Sequence, residues 1–302
     1  MKGPFAQVFP PLAQLKLPFS RDQFMLLLAG VNEIFLGIDI YLAHKISGTI
    51  VPREWIPIVF GPIAGVLIFA AGLIAIRKRS LATVIANAVF ILSIAVGLLG
   101  AYYHFVRAIL PTAPPGERIS VSLLVWAPPV IGPLVFSLVG LIGISAVWIE
   151  EPVNSGRLRF FGGRHVQLPY SKTQAFFFMV SLGTLATLLS SVLDHARTSF
   201  QNPWLWVPVG AGVFAVIVAA VIALLPSPSR GDYLVYTAAM LALIGVGVIG
   251  AILHINENLT SSGQIVGERF IRGAPFLAPL LFADMGTLGL LVLLDPSEKP
   301  QT

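Results

Sequence analysis

Two shortages narrow the class of this protein: it has no cysteine and few charged residues. Without cysteine, the 302-residue chain has no disulfide, no thiolate ligand for a metal and no covalently attached c-type haem. Charged residues make up 11% of the chain, whereas soluble domains carry about 25%. Hydrophobic residues make up 56%. This composition is typical of an integral membrane protein in contact with a lipid bilayer.

Signatures of several enzyme classes are missing as well. The sequence contains no G-x-x-x-x-G-K-[ST] for nucleotides, no H-E-x-x-H for zinc proteases and no G-x-S-x-G for serine hydrolases. The net charge of +5 is distributed over the loops between apolar stretches, so we expect no nucleic-acid partner.

Eight apolar stretches are long enough to cross a membrane as helices, since one crossing needs about 20 residues. They lie near residues 24–45, 55–76, 81–106, 122–149, 174–195, 204–225, 232–256 and 274–294. We therefore predict an all-α integral membrane protein with eight transmembrane helices.

The basic residues predict how the chain is oriented. Eight crossings place both termini on one side, and that side collects twelve Lys and Arg residues against seven on the other. The positive-inside rule then places both termini in the cytoplasm, and we expect a bacterial inner membrane. Residues 1–20 have no compact apolar core and no small-residue cleavage site, so the first helix is expected to be the insertion signal.

One nine-residue pattern occurs twice. Residues 96–104 read VGLLGAYYH and residues 246–254 read VGVIGAILH, and both fit V-G-x-x-G-A-x-x-H. The spacing places two glycines and a histidine on one face of a helix. These residues are Gly97, Gly100 and His104 in the first copy, and Gly247, Gly250 and His254 in the second.

Other residues recur at nearly the same distance along the chain. At an offset of 151, His44 matches His195 and Trp55 matches Trp206. We predict a tandem duplication with two four-helix repeats in the same orientation, related by an axis along the membrane normal. The predicted segments are an N-terminal cytoplasmic segment 1–23, repeat one at 24–149, a cytoplasmic connector 150–173, repeat two at 174–295 and a C-terminal tail 296–302.

Four of the five histidines fall in the repeat-equivalent pairs, His44 with His195 and His104 with His254. Neutral imidazole is the commonest protein ligand for metals, so two histidines from two helices of one repeat could hold a haem b axially near the outer face. The glycines beside them would let a flat porphyrin approach the helix. Another metal, or no cofactor, is the alternative for the same residues.

Two simpler interpretations stay open for this pattern. The histidines could bond to loops while the glycines serve ordinary small-residue helix contacts, or the histidines could handle protons. The first repeat is the better candidate for haem, because Gly30 and Gly37 precede His44 at spacings of seven. Ser181 and Leu188 stand at the corresponding places in the second repeat.

Three acidic residues lie within predicted spans: Glu33 and Asp39 in the first and Asp284 in the last. Carboxyl groups at that depth are costly and often functional. With His44, the two acids of the first span could form a proton or cation path, and structural hydrogen bonding is the alternative. The repeat-equivalent positions hold no acid: Thr184, Ser190 and Leu138.

Three functions are compatible with these patterns. We rank first a membrane subunit of a redox complex, with haem b or another metal on His44, His104, His195 and His254 and with the glycines 97, 100, 247 and 250 beside it. Such a subunit would bind other membrane or periplasmic proteins. The alternatives are a proton- or ion-coupled transporter that uses Glu33 and Asp284, and a non-catalytic subunit of a larger complex.

Overall fold

The structure of the protein, a computed structural model, describes residues 4–12, 17–46, 48, 50–160, 163–260 and 266–296. It is predominantly helical, with 73% of residues in helices. Parts of the predicted N-terminal segment, and all of the predicted tail beyond residue 296, lie outside these residues. The helices are α1 (Pro4–Val8), α2 (Arg21–Ile46), α3 (Trp55–Ala75), α4 (Arg79–Ala108), α5 (Val121–Trp126), α6 (Leu134–Val147), α7 (Lys172–Ala196), α8 (Trp206–Leu224), α9 (Arg230–Thr260), α10 (Arg269–Arg272) and α11 (Leu280–Val292). Short 3-10 turns cover Pro10–Leu12, Pro52–Glu54 and Pro203–Leu205.

Six of the described helices are long and apolar enough to cross a membrane, namely α2, α3, α4, α7, α8 and α9. Large apolar side chains are exposed on their outer sides, such as Val66 (61% exposed), Leu73 (72%) and Ile217 (57%). An apolar surface of this extent is stable against hydrocarbon rather than water. The predicted class of multi-pass membrane protein is confirmed at this level.

The fourth and eighth predicted spans are not single helices, and the prediction of continuous helices over 122–149 and 274–294 is wrong. Helices α6 and α11 have only 14 and 13 residues. At 1.5 Å per residue each covers about 20 Å, whereas a hydrocarbon core is about 30 Å thick. Pro133 and Pro279 stand at their N-caps. Proline disfavours helical backbone in the residue before it, so the preceding chain remains non-helical.

Each half of the chain forms a closed ring of four helices. Contacts join α2 to α3, α3 to α4, α4 to α6 and α6 back to α2, and the second bundle joins α7, α8, α9 and α11 in the same order. Equivalent residues meet at these contacts. A Cβ on Gly140 would lie 2.6 Å from the Phe90 carbonyl oxygen, and one on Gly286 would lie 2.5 Å from that of Met240. Glycine at both places lets two backbones approach closely.

The two bundles contact each other reciprocally. Helix α2 touches α11 and α10 of the second half, and α7 touches α6 and α5 of the first. Met25 of α2 is fully buried in the apolar core that also contains Phe176 and Tyr236 of the second bundle. The halves therefore share part of one core.

A small antiparallel sheet adds to the predicted all-α class. Strands β1 (Ile149–Glu150), β2 (Arg157–Arg159) and β3 (His165–Gln167) pair in that order, so the sheet begins just before the predicted connector 150–173 and lies mostly within it. Trp148, immediately before β1, stacks on Phe160 at 5.2 Å between ring centroids. Its indole nitrogen donates to the Asn87 side chain of α4 over 2.8 Å. These contacts attach the sheet to the first bundle.

Four buried charged residues join the two bundles beneath this sheet, and we call Arg21, Asp22, Glu150 and Lys172 the ionic junction. The Lys172 ammonium donates to the Asp22 carboxylate and to the Trp148 carbonyl, each over 2.5 Å. Arg21 Nε lies 3.2 Å from the other Asp22 oxygen. The Glu150 carboxylate accepts from the backbone nitrogens of residues 154, 156 and 172. Arg21 and Lys172 are two of the twelve basic residues counted above for the side of the termini, and the sequence did not predict this contact.

Replacing Lys172 with methionine should destabilise the protein strongly. The change leaves Asp22 buried with Arg21 as its remaining cationic partner, and breaking a buried ion pair costs about 3–5 kcal/mol. Arg159→Met is the matched control, because Arg159 pairs with Glu151 where both side chains are half exposed. That loss should stay below about 1 kcal/mol. The measurement is unfolding in mixed detergent micelles followed by tryptophan fluorescence; equal losses for both variants would refute a stabilising ionic junction.

Candidate functional site

The first candidate site contains the histidine pair of the first bundle. His44 lies near the end of α2 and His104 near the end of α4, and their ring centroids are 6.1 Å apart with the planes at 67°. The Nδ1 atom of His104 donates to the carbonyl oxygen of Pro129 over 2.9 Å. That bond fixes the ring and leaves Nε2 of the neutral imidazole as the available lone pair. The predicted proximity of these two histidines therefore exists in the structure.

The second bundle repeats the backbone contact of this arrangement, and His254 is also close enough to His195 for the two rings to interact electrostatically. His254 Nδ1 donates to the carbonyl oxygen of Pro275 over 3.0 Å, which is the counterpart of the His104 contact. The His195 ring packs edge-on against Phe200 with 6.2 Å between centroids. Phe200 in turn stacks on Trp206 at 4.5 Å. One aromatic ring, Phe200, thus contacts the predicted ligand His195.

The proline carbonyls fix the orientation of two histidine rings. The segment before α6 is non-helical, so its carbonyl groups have no helical partner and can accept from a side-chain donor. The imidazole N–H of His104 supplies that donor at Pro129, and His254 supplies it at Pro275. Bonding to loop backbone, one of the simpler interpretations of the pattern, accounts for this contact.

The glycine stripe beside each histidine is covered by protein. A Cβ on Gly97 would lie 2.6 Å from the backbone nitrogen of Ser137 and would clash with its hydroxyl. A Cβ on Gly100 would lie 2.7 Å from Cβ of Pro133. The first turn of α6 fills this face of α4, so in this arrangement of helices protein atoms lie where a porphyrin would approach these two glycines.

The second stripe is covered in the same way. A Cβ on Gly247 would lie 2.5 Å from the backbone nitrogen of Ala283, and one on Gly250 would lie 2.9 Å from Cβ of Pro279. Gly247 and Gly250 therefore pack against the start of α11, as the glycines of the first stripe pack against α6. Within the described residues, moreover, no group of three or more His, Asp or Glu side chains is arranged to hold a metal ion.

Glu33 occupies the interior of the first bundle and is 0% exposed. Its Oε1 lies 2.6 Å from the hydroxyl oxygen of Ser93 on α4. Its Oε2 is buried and has no hydrogen-bond partner in the described part of the chain. Glu33 and His44 share one side of α2, but their eleven-residue separation corresponds to about 16 Å along the axis.

Asp284 lies between the bundles and joins them. The side-chain amide of Asn32 on α2 donates to Asp284 Oδ2 on α11 over 2.9 Å. Asp39 follows Asn32 by seven residues and therefore shares its side of α2, about 10 Å further along. The predicted path residues of α2 thus divide between two sides of the helix, with Glu33 and His44 on one and Asp39 on the other.

The equivalent contact between α7 and α6 is apolar. Gly183 stands where α2 has Asn32, and a Cβ on it would lie 2.6 Å from Cδ2 of Leu138, the counterpart of Asp284. Thr184, the counterpart of Glu33, is also 0% exposed. The carboxyl group of Asp284 therefore belongs to one of two otherwise similar contacts.

Asn32 and Ser93 are partners that sequence reasoning did not single out. Both are polar residues within long apolar stretches, and Asn32 directly precedes Glu33. Their place within apolar stretches could have indicated them, because polar side chains inside a membrane usually face another polar group.

Comparison of the chain with protein-family models, with curated proteins and with solved structures finds no match. The functional conclusion therefore depends on the geometry of the histidines and acids described above.

Gly247→Ala should destabilise the protein, because the added methyl group collides with backbone atoms of α11 that cannot rotate away. Overpacking of this kind costs about 1–3 kcal/mol. Gly245→Ala, two residues earlier in α9, is the control, since no atom lies within 4 Å of a Cβ at that position. Thermal unfolding of the two variants compares them directly. If they unfold at the same temperature, the stripe is not a packing surface.

Proposed function

We propose that this protein is an integral membrane protein that moves protons or small cations across the bilayer, with the Asn32–Asp284 pair on the route. The observation that carries the proposal is the 2.9 Å bond between these side chains where two bundles meet. A carboxyl group inside an apolar helix is costly and is retained where it serves a path. Asp39, on the same side of α2, extends this polar line toward the end of the helix that carries His44.

The proposal includes eight crossings built as two parallel repeats, with both termini in the cytoplasm of a bacterial cell. Its support is the equal order of helix contacts in both bundles and the paired contacts of Gly97 with Gly247 and of Gly140 with Gly286. Helices α6 and α11 would complete the fourth and eighth crossings together with the non-helical segments before them.

Matched short helices favour transport over a purely structural role. Residues 127–133 and 273–279 are largely non-helical and precede the two short helices at corresponding positions. Interrupted spans at matching places in two repeats often mark a transport site, because irregular backbone within a membrane is stable only when protein or water covers it. If continuous helices had crossed the membrane at residues 127–133 and 273–279, these segments would not favour transport.

Asp284→Asn should reduce ion flux by at least about tenfold, because the amide keeps the shape of the side chain but cannot carry charge or release a proton. The measurement uses protein reconstituted in liposomes, with dyes for internal pH and for Na⁺ after a membrane potential is imposed. Glu257→Gln, at an exposed position of α9, is the matched control and should leave flux unchanged. Wild-type flux in the Asp284 variant would remove the proposal.

A redox subunit is the second candidate, and the His44–His104 pair favours it. Two imidazoles from different helices lie 6.1 Å apart between ring centroids, and one is oriented through its Nδ1 atom. Bonds from the second ring nitrogen to backbone carbonyls are typical of histidine ligands. In this reading His44 and His104, and in the second repeat His195 and His254, hold haem b or another metal, and the subunit binds membrane or periplasmic partners.

The redox proposal predicts that the purified protein absorbs as a b-type cytochrome and that its Soret band shifts on reduction. His104→Ala should remove the band of the first bundle by deleting one axial ligand, whereas His165→Ala on the exposed strand β3 should not change the spectrum. A colourless protein that contains no transition metal by elemental analysis would refute this candidate and leave the transport proposal intact.

A further inference from the structure

The contact between Glu33 and Ser93 carries an inference about protons. The geometry points to Glu33 as a proton-binding site that is loaded in the resting protein: a neutral carboxylic acid whose O–H donates to the hydroxyl oxygen of Ser93. This site faces the interior of the first bundle, on a different side of α2 from the Asn32–Asp284 pair. It goes beyond the proposed route and does not depend on ions passing through that pair.

The Ser93 hydroxyl oxygen has two close oxygen neighbours but only one proton to donate. The Ser93 hydroxyl oxygen lies 2.6 Å from Glu33 Oε1 and 3.1 Å from the carbonyl oxygen of Val89. A serine hydroxyl has one proton to donate, while a carbonyl and an ionised carboxylate can only accept. An ionised Glu33 would therefore leave one of the two close oxygen pairs without a proton between its atoms.

A protonated Glu33 satisfies both contacts. Its own O–H donates to the Ser93 oxygen, and the Ser93 O–H is then free to donate to the Val89 carbonyl. Each of the two oxygen–oxygen contacts then has one proton between its atoms.

Burial favours the same protonation state. Glu33 and Ser93 are both 0% exposed, and none of the ion pairs formed by the described residues includes Glu33. An ionised carboxylate without a cation in such a place costs several kcal/mol even after relaxation. The unpartnered Oε2 of a neutral acid costs about 1–3 kcal/mol. The neutral form is therefore the less costly of the two.

The second bundle has no such site at the equivalent place. Thr184 stands at the position of Glu33 and Leu243 at that of Ser93, so neither a titratable group nor its hydroxyl partner is present there. A proton site at this place within a bundle therefore belongs to the first bundle. The two halves share a scaffold, and one of them carries this acid.

Infrared spectroscopy of the protein in bilayers at neutral pH tests the inference. The expected spectrum contains the carbonyl stretch of a protonated carboxylic acid, and this band moves when the wild-type protein is made with ¹³C-labelled glutamate. Glu33→Gln should remove the band, and Ser93→Ala should shift it because the acid loses its acceptor. Glu257→Gln and Asp284→Asn should leave the glutamate band in place.

Absence of a glutamate-derived acid band from the labelled wild-type protein would overturn the inference, and this result needs no variant to fold. Persistence of the full band in a folded Glu33→Gln protein would overturn it as well. Both outcomes are separate from the transport proposal, which is decided by ion flux in the Asp284→Asn variant. A glutamate band that is lost in Glu33→Gln, together with unchanged flux in the Asp284→Asn variant, would confirm the proton site and reject the proposed route.

Discussion

The close packing of a proline-initiated short helix against a glycine stripe is the contact on which the rest of the structure depends. Pro133 fits against Gly100 in the first bundle, and Pro279 fits against Gly250 in the second. Proline interrupts regular helical hydrogen bonding, so carbonyl groups of the chain before each short helix have no helical partner. The histidine at the end of each stripe supplies a missing donor. The repeated motif thus acts as one unit of packing and backbone satisfaction.

This scaffold occurs twice, but its polar chemistry occurs once. Asn32 and Asp284 form a hydrogen bond where Gly183 and Leu138 pack as an apolar contact. At the glycine contacts two helices lie so close that a larger side chain would clash, so few substitutions fit there. Side chains at the contact between bundles are less restricted, and there the two halves differ. The polar contact between the bundles is therefore asymmetric within a nearly symmetric frame.

Burying a charged side chain costs free energy, and the buried ionisable groups of the described bundles differ in the partners that offset this cost. At one end, Lys172 and Asp22 form a direct pair, and Glu150 is held by three backbone N–H groups. Deeper in the first bundle, the side chain of Glu33 contacts the hydroxyl group of Ser93. A full charge is stable in the first setting because opposite charges and donors surround it. In the second setting, neutrality is the state that the surroundings support.

The membrane class, the six long spans and the regular helices around His44 and Glu33 follow from composition and apolar length alone. Proline at 133 and 279 is visible in the sequence, but the length of non-helical chain before it is not, because that length depends on how α6 packs on α4. The same limit applies to Gly97 and Gly100: their spacing identifies a smooth helix face, and only the tertiary structure decides that protein covers it. Hydrogen-bond partners distant in the chain, such as Asn32 and Asp284, were likewise decided by the contact between bundles, since a helical pattern specifies which side a residue faces and not what it meets there.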